Sequence, residues 1–229
     1  MKQTLFVTAT DTGVGKTLVC GLLLRLLKEQ GVVAGYQKWV STGGATSADM
    51  ETVAGLAEMV FLPEELGWRV PYCFALPASP HLAAELAGRA VDPERIMAAM
   101  RIARAACEVL VVEGVGGALV PLNRELLLAD LMARVGLPTL IVARSGLGTL
   151  NHTLLTIEAL RARRIPILGV MLTDSGPQEE ERIAADNLRT IAALGQVPGL
   201  GRLPWCEDAV ELPRHFAPIG EKILSRLSE

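Results

Sequence analysis

The chain has 229 residues, and its 22 lysines and arginines stand against 25 aspartates and glutamates, which gives a net charge of −3 at pH 7. Hydrophobic residues make up 50% of the sequence and charged residues 21%, a composition that excludes a disordered chain. The mild negative charge argues against binding to a nucleic-acid backbone, and no apolar run approaches the roughly 20 residues that cross a bilayer.

The cysteines and the first residues bear on the cellular compartment. Cys20, Cys73, Cys107 and Cys206 lie far apart, without a C-x-x-C pair. A disulfide framework or zinc site would need closer grouping, so we expect reduced thiols, with Cys20 and Cys107 buried. The first apolar run becomes polar after about six residues, too short for a signal-peptide core. We therefore expect a cytoplasmic protein that binds neither nucleic acid nor membrane.

Short apolar runs alternate with helical patterns along most of the chain. Runs without polar alternation are typical of strands that are covered on both faces. The predicted strands are Thr4–Thr8, Val32–Gln37, Val109–Glu113, Thr139–Ala143, Ile167–Leu172 and Gly199–Leu203. The predicted helices are Thr17–Gln30, Asp49–Val60, Pro93–Ala106, Leu126–Val135, Leu150–Arg163 and Glu179–Leu194. This order predicts an α/β fold with a doubly wound, mainly parallel sheet, in a single domain over residues 1–229.

One segment interrupts the alternation. Phe61–Pro80 holds four prolines and has no clear periodicity. We expect an irregular excursion there, of the kind that covers an active site or makes a contact surface.

A phosphate-binding loop follows the first predicted strand. Ala9–Thr17 reads ATDTGVGKT, and a predicted helix follows it. Glycines let backbone N–H groups converge on phosphate oxygens, and the helix N-terminus adds partial positive charge. Lys16 can reach the β- and γ-phosphates, and the Thr17 hydroxyl can bind Mg²⁺. The strict G-x-x-x-x-G-K-[ST] pattern fails because Thr10 replaces the first glycine, and the alternative is a glycine turn that caps a helix beside an exposed lysine.

A carboxylate ends another buried strand. Glu113 follows the apolar run 109–112 and precedes Gly114-Val115-Gly116-Gly117. Nucleoside triphosphatases use a carboxylate at this position to orient Mg²⁺. The alternative is a solvated glutamate before a flexible turn. Together with the phosphate loop, Glu113 predicts a nucleoside-triphosphate site.

These motifs resemble those of the dethiobiotin synthetases, the biotin-pathway ligases of the P-loop superfamily. The family loop G-T-D-T-x-V-G-K-T differs from 9–17 only in its first residue, and K-x-V-x-S-G matches 38–43 with threonine for serine. The family E-G-A-G-G matches 113–117, and further agreement comes from Pro121, Ser79-Pro80-His81, Asn151-His152 and Pro204-Trp205. The resemblance therefore extends from residue 4 to about residue 211.

The resemblance implies a reaction and its machinery. Dethiobiotin synthetases combine 7,8-diaminononanoate, CO₂ and ATP with Mg²⁺, through a carbamate and a carbamic-phosphoric anhydride. Lys16 and Lys38 would be catalytic, because they bring the repelling carbamate and triphosphate together. The oxygen ligands Thr17, Asp49 and Glu113 would hold Mg²⁺. The other implied contacts to phosphate and nucleotide come from Thr12, Gly13, Val14, Gly15, Gly114, Val115 and Gly116.

The resemblance also implies sites for the base, the ribose and the diamine. Thr173-Asp174 stands where the family has Asn-Asp, and the amide of that asparagine contacts adenine. A hydroxyl cannot reproduce both the donor and the acceptor of an amide. We therefore expect a weaker preference among nucleotides. Further implied contacts are Pro204, Trp205 and Cys206 beside the base, Glu211 at the ribose, and Thr12, Lys38, Ser41, Thr42, Gly148 and Asn151 at the substrate. The resemblance implies a homodimer, in which the start of the predicted helix Leu150–Arg163 holds the carboxylate tail of the substrate that is bound in the neighbouring subunit.

Other interpretations remain for single residues and for the whole chain. Asp49 could cap the helix that follows it, Lys38 could be a surface lysine, and His81 and His152 are expected to have structural roles. A partitioning-type switch ATPase is one alternative function, although its usual second lysine in the loop is missing. A cobyrinate-type amide synthase is another, although 229 residues leave no room for its glutaminase domain.

Overall fold

A central sheet organises the molecule, for which a computed structural model describes residues 2–229. The strands are β1 (Gln3–Ala9), β2 (Ala34–Lys38), β3 (Val40–Thr42), β4 (Tyr72–Phe74), β5 (Val109–Glu113), β6 (Thr139–Arg144), β7 (Ile167–Thr173) and β8 (Gly199–Leu203). Within the described range, six of them form one parallel sheet in the order β2-β5-β1-β6-β7-β8, while β3 and β4 form a separate parallel pair.

Helices connect the strands and cover both faces of the sheet. They are α1 (Lys16–Glu29), α2 (Ala48–Ala57), α3 (Leu66–Arg69), α4 (Pro80–Leu86), α5 (Pro93–Ala105), α6 (Leu128–Val135), α7 (Thr149–Arg161), α8 (Glu181–Gly195) and α9 (Leu212–Leu227). Two hydrophobic cores result, because side chains alternate across a strand. Leu5 and Val7 of β1 pack with α1, α2 and α9, whereas Phe6 packs with α5 to α8. The predicted α/β class with a parallel sheet is confirmed.

The six predicted strands of the main sheet are all present, with shifts of at most two residues at their ends. The predicted helices are present as well, and α2 is shorter than expected because it ends at Ala57. The cysteines are free, and Cys20 and Cys107 are buried as predicted. Among residues 2–229, no helix combines the length and apolar character that a membrane span requires.

Three regions differ from the sequence analysis, and the first is α4 (Pro80–Leu86), a helix that was not predicted. The prediction of an irregular segment at 61–80 is wrong in part: it contains a 3₁₀ turn, α3, and β4, which pairs with β3. The sequence analysis also missed α9, which buries Phe216, Ile219 and Ile223 against the sheet. Pro213 lies in the first turn of α9, where the missing N–H is tolerated. Pro218 lies inside the helix and masks its periodicity.

The register of the strands determines where the site forms. Glu113 at the end of β5 pairs with Lys38 at the end of β2 and with Val7 near the end of β1. The carboxyl ends of three neighbouring parallel strands therefore meet at one edge of the sheet. Loops that leave this edge carry the motifs that the sequence analysis singled out.

Candidate active site

The phosphate loop joins β1 to α1 with a backbone that glycine favours. Gly13 and Gly15 have φ angles of 68° and 102°, in the left-handed region that other residues rarely adopt. Buried Val14 anchors the loop, and its carbonyl accepts a hydrogen bond of 2.5 Å from the Thr173 hydroxyl. The loop thus leads directly to the N-terminus of α1, where free N–H groups and the helix dipole attract anions.

Lys16 is the first residue of α1 and lies beneath the loop. Its side chain is buried, and its Nζ donates a 3.1 Å hydrogen bond to the carbonyl of Asp11. Burial and the nearby Lys38 ammonium lower the pKa of Lys16 to about 8. An anion beside it would favour the charged ammonium and so counteract both influences, which suits this lysine to a phosphate group.

Three oxygen donors converge next to Lys16. Thr17 Oγ1 lies 3.0 Å from Asp49 Oδ1 and 2.9 Å from Glu113 Oε1, although the three residues come from α1, α2 and β5. Glu113 has no exposed surface. Ser47, and not Asp49, caps α2, through a 3.3 Å bond from Met50 N–H. The alternatives of a helix cap for Asp49 and a solvated strand end for Glu113 are therefore wrong.

Lys38 lies among the same carboxylates. Its Nζ is 2.6 Å from Glu113 Oε1 and 2.8 Å from Asp49 Oδ2, and it donates a 3.0 Å bond to the carbonyl of Gly114. Burial by itself lowers the pKa of Lys38, but Glu113 and Asp49 outweigh it and raise the pKa above its ordinary value. In Asp49, burial opposes the effect of Lys38, which prevails and lowers the pKa of the carboxyl. Lys38 is a buried, charged residue, and the surface interpretation is wrong.

Tyr36 is a member of this cluster that the sequence analysis missed. Its hydroxyl donates a 2.7 Å hydrogen bond to Glu113 Oε2, on the carboxylate oxygen that neither Thr17 nor Lys38 contacts. Burial and the Glu113 charge raise the pKa of Tyr36 well above its usual value, so it stays a donor. The signal was present in the sequence, because Tyr36 precedes Lys38 by two residues on one strand and therefore points to the same face.

Two adjoining cavities open above the cluster. A cavity of about 450 Å³ is lined by Lys16, Thr17, Lys38, Asp49 and Glu113, together with Gly13 and Gly15. A second, of about 440 Å³, extends toward Pro77–Pro80. The residues that line both cavities are Thr12, Thr42, Val115 and Gly116. Ser41 is buried beside Cys73 in the β3–β4 pair and lines neither cavity.

The residues predicted to contact the base form a second cluster, after β7 and β8. Thr173 is buried and its hydroxyl is bonded to Val14 in the phosphate loop, as described above. Asp174 accepts hydrogen bonds from Arg202 at 2.8 and 2.6 Å, from Ser145 at 2.5 Å and from the Trp205 N–H at 3.1 Å. Burial raises the pKa of Asp174, but these bonds, led by Arg202, lower it below its ordinary value. The carboxylate therefore fixes the loop that follows β8.

That loop presents its remaining residues to solvent. Trp205 is 41% exposed, Glu211 is exposed, and Pro204 and Cys206 are half-buried. The loop is short and held at one end by Asp174. Its side chains are available to a ligand that extends from the phosphate loop.

The last predicted substrate residues follow β6, which lies on the other side of β1 from β5. Gly148 precedes α7 in a left-handed conformation with a φ of 91°, and Asn151 is exposed in the first turn of that helix. Neither residue lines the two cavities above the carboxylates. The exposed His152 instead borders a separate cavity of about 370 Å³, with Leu119 and Leu155.

Comparisons with known proteins show which family the chain is similar to. A family model described as an AAA domain matches residues 3–212. The chain is 42% identical to the ATP-dependent dethiobiotin synthetase BioD of Anaeromyxobacter dehalogenans (strain 2CP-C), a match that covers 94% of this chain and 96% of the relative. It is also 42% identical to the biotin biosynthesis bifunctional protein BioCD of Bordetella avium (strain 197N), covering 96% of this chain but 44% of that longer relative.

A solved structure supports the fold alone. The cell division ATPase MinD of Pyrococcus furiosus matches 98% of this chain and 99% of its own, with a TM-score of 0.63 and 16% sequence identity. At that identity, the likeness concerns the arrangement of strands and helices.

Proposed function

The chain belongs to the ATP-dependent dethiobiotin synthetases and is a ligase that forms dethiobiotin in biotin biosynthesis; from this premise we propose that its substrates are 7,8-diaminononanoate, CO₂ and Mg-ATP. The observation that carries the proposal is the convergence of Thr17, Asp49, Glu113 and Lys38 beside Lys16 and the phosphate loop. Cations and carboxylates there are arranged for a reaction between two anions.

The donor set fits a hard divalent cation. Thr17 Oγ1, Asp49 Oδ1 and Glu113 Oε1 are oxygen atoms on rigid elements, and Thr17 lies within 3.0 Å of both carboxylates. These residues would hold Mg²⁺. When bound, the ion supplies charge neutralisation at the phosphate oxygens of ATP. Tyr36 fixes the remaining oxygen of Glu113, which keeps its carboxylate oriented toward Thr17.

The two lysines would act on the reacting groups. One amine of the substrate combines with CO₂ to give a carbamate and releases a proton. A carbamate oxygen then attacks the γ-phosphorus of ATP, and ADP leaves. Lys16 would stabilise the charge on the transferred phosphoryl group. Lys38 would release its carboxylate partners and contact the carbamate. Catalysis then consists mainly of positioning and of charge stabilisation by preorganised groups.

Ring closure completes the proposed sequence. The second amine attacks the carbonyl carbon of the carbamic-phosphoric anhydride, the C–O bond to phosphate breaks, and the amine loses a proton. The second cavity, which shares Thr12 and Thr42 with the first, supports this step because it offers space for the carbon chain of the diamine beside the phosphates. No covalent nucleophile of the protein is required. Because Ser41 lines neither cavity, Thr42 is the better candidate for a substrate contact.

The substrate's carboxylate tail would be bound across a homodimer. Gly148 and Asn151 stand at the N-terminus of the 13-residue helix α7, where backbone N–H groups attract an anion. Leu147, just before this helix, is fully exposed, and Leu155 within it is 60% exposed. A second copy of the chain packed here would cover these leucines. The substrate bound in that copy would then place its carboxylate tail at this helix start.

The nucleotide would extend from the phosphate loop toward β7 and β8. Trp205, Pro204 and Cys206 would flank the base, and Glu211 would reach the ribose. Asp174 would act by fixing this loop, because Arg202, Ser145 and the Trp205 N–H occupy its oxygens.

Phosphate release and product mass test the proposal together. The protein is incubated with Mg-ATP and bicarbonate, with and without 7,8-diaminononanoate, and Lys16→Ala serves as the inactive control. Phosphate release that depends on the diamine, with a product at the mass of dethiobiotin, is expected. Diamine-independent hydrolysis without this product would instead support a switch ATPase.

A further inference from the structure

Three side chains with different donor atoms meet on the surface after β8. One ligand atom each of Cys206, Glu211 and His215, a sulfur, an oxygen and a nitrogen, lie within 4.8 Å of one another. The cluster follows β8, and three strands, β7, β6 and β1, separate β8 from β5, which carries Glu113. The cluster is therefore distinct from the carboxylates of the active site.

Local structure brings the three residues together. Glu211 ends a 3₁₀ turn that leads into α9, and His215 follows four residues later, so their side chains lie on one helical face. Cys206 lies in the loop before this turn, and the bond from the Trp205 N–H to Asp174 holds that loop to the sheet. Asp208 caps the turn through a 2.9 Å bond from the Val210 N–H. The cluster thus has a fixed backbone on both sides.

The donor set is suited to Zn²⁺. A thiolate, an imidazole and a carboxylate are all ordinary zinc ligands, whereas Mg²⁺ and Ca²⁺ prefer oxygen alone. Glu211 and His215 are exposed and Cys206 is half-buried, so a fourth position stays open to water. This group was not predicted from the sequence, because only one of its three residues is a cysteine and the chain has no C-x-x-C pair.

The electrostatic surroundings also attract a cation. Between Cys206 and His215 the chain carries three acidic residues, Glu207, Asp208 and Glu211, against one basic residue, Arg214.

We propose that Cys206, Glu211 and His215 form a three-ligand site for Zn²⁺ in the segment between β8 and the first turn of α9. The proposal stands apart from the ligase mechanism, which needs only a cation at Thr17, Asp49 and Glu113. Since the proposed contacts to the base and the ribose also use Cys206 and Glu211, the zinc site is tested without nucleotide.

The test is a titration of the nucleotide-free protein with Co²⁺ and then with Zn²⁺. We expect one equivalent of Co²⁺ to produce a thiolate-to-cobalt absorption band, which Zn²⁺ then abolishes by displacement. Cys206→Ser should remove the band. The loss of a residue that only hydrogen-bonds to a metal ligand weakens metal binding by roughly 10–100-fold, so the loss of a ligand itself in His215→Ala should weaken Zn²⁺ binding by more than this. Thermal melts of the variants check that each is folded.

Two matched controls separate ligation from general charge and thiol effects. Glu207→Gln removes a neighbouring charge outside the ligand set, and Cys73→Ser removes the other half-buried thiol. Both should retain the band and the Zn²⁺ affinity to within a few-fold. A wild-type protein without a thiolate band, or a band that survives in folded Cys206→Ser, would overturn the proposal.

Discussion

Lys38 and Glu113 form an ion pair that has almost no contact with solvent. Nζ lies 2.6 Å from Oε1, and the exposed fractions of the two side chains are 4% and 0%. A buried carboxylate beside a second one would be strongly destabilising without a cation, so the ammonium balances them in the absence of other ligands. The same carboxylates are the proposed metal ligands. Lys38 and a divalent cation therefore compete for one set of oxygens.

Replacing Lys38 with methionine should tighten divalent-cation binding to the nucleotide-free protein. The change removes a positive charge but keeps the length of the side chain. At an effective dielectric constant of 20, a unit charge 4 Å away is worth about 4 kcal/mol, much of which relaxation and solvent would absorb. We expect Mn²⁺, measured by calorimetry, to bind about tenfold more tightly. The control is Lys28→Met, an exposed lysine on α1, and an unchanged affinity in Lys38→Met would contradict the competition.

Lys16→Ala should abolish most of the ligase activity. The loss of one preorganised charge-stabilising group costs about 3–4 kcal/mol in the transition state, or roughly 100- to 1000-fold in kcat/KM. Steady-state phosphate release in the presence of the diamine measures this. Lys28→Ala, in the last turn of the same helix, should keep kcat/KM near the wild-type value. A variant at position 16 with more than a tenth of the wild-type kcat/KM would exclude the assigned role.

The nucleotide preference should be weak, because Thr173 offers the base no paired donor and acceptor. Its hydroxyl is bonded to the Val14 carbonyl and supports the phosphate loop. A site that discriminates by hydrogen bonds rejects analogues by about 10⁴-fold or more, whereas a site without them reaches about 100-fold. We therefore expect kcat/KM for CTP and GTP to lie within about 100-fold of the value for ATP.

The matched variant is Thr173→Val, which removes the hydroxyl and keeps the shape. It should impair all three nucleotides to a similar extent, since the loop and not the base loses a contact. An effect confined to ATP would mean that Thr173 contacts adenine.

Asn151→Ala should raise the KM for 7,8-diaminononanoate about tenfold and leave the KM for ATP unchanged. The reason is that the exposed amide stands at the start of α7, where a carboxylate tail would bind, and a hydrogen bond to a charged group is worth about 1.5–3 kcal/mol. Initial rates at varied diamine concentration measure it. Glu158→Gln, on the same helix but far from its start, is the control. An unchanged diamine KM in Asn151→Ala would remove this residue from the substrate site.

Asp174→Asn should destabilise the fold in a pH-dependent way. The Asp174 side chain is only 3% exposed and is paired with Arg202, so the change should lower the free energy of unfolding at pH 7 by about 2–3 kcal/mol. Its folded pKa lies below the unfolded value of roughly 3.9, and the carboxylate therefore stabilises the fold above that value. The difference between wild type and variant should shrink as the pH falls below about 4.

Thermal or urea unfolding between pH 3 and pH 7 measures this dependence. Asp186→Asn removes an exposed ion pair with Arg189 and should change stability by less than about 1 kcal/mol at any pH. A destabilisation at Asp174 that stays constant from pH 7 to pH 3 would mean that the charge of the carboxylate is not responsible.

The strands of the main sheet and the central residues of the site could be predicted from local sequence patterns. Apolar runs of strand length and helical patterns depend on neighbouring residues, so they can be recognised locally. Lys16 and Thr17 follow a glycine loop, and Glu113 ends a buried strand. Because the carboxyl ends of parallel strands meet at one edge, the order of these residues along the chain is enough to predict that they lie together.

The pairing of side chains that are distant in the sequence could not be predicted in this way. Tyr36 binds a carboxylate 77 residues away, and Asp174 is occupied by Arg202 rather than free for a ligand. Helix α9 forms despite Pro218 because its apolar face is buried against the sheet, and it brings His215 near Cys206. Local sequence specifies backbone preference and the face on which a side chain lies. The partner across the fold depends on the packing of whole elements, which no single segment encodes.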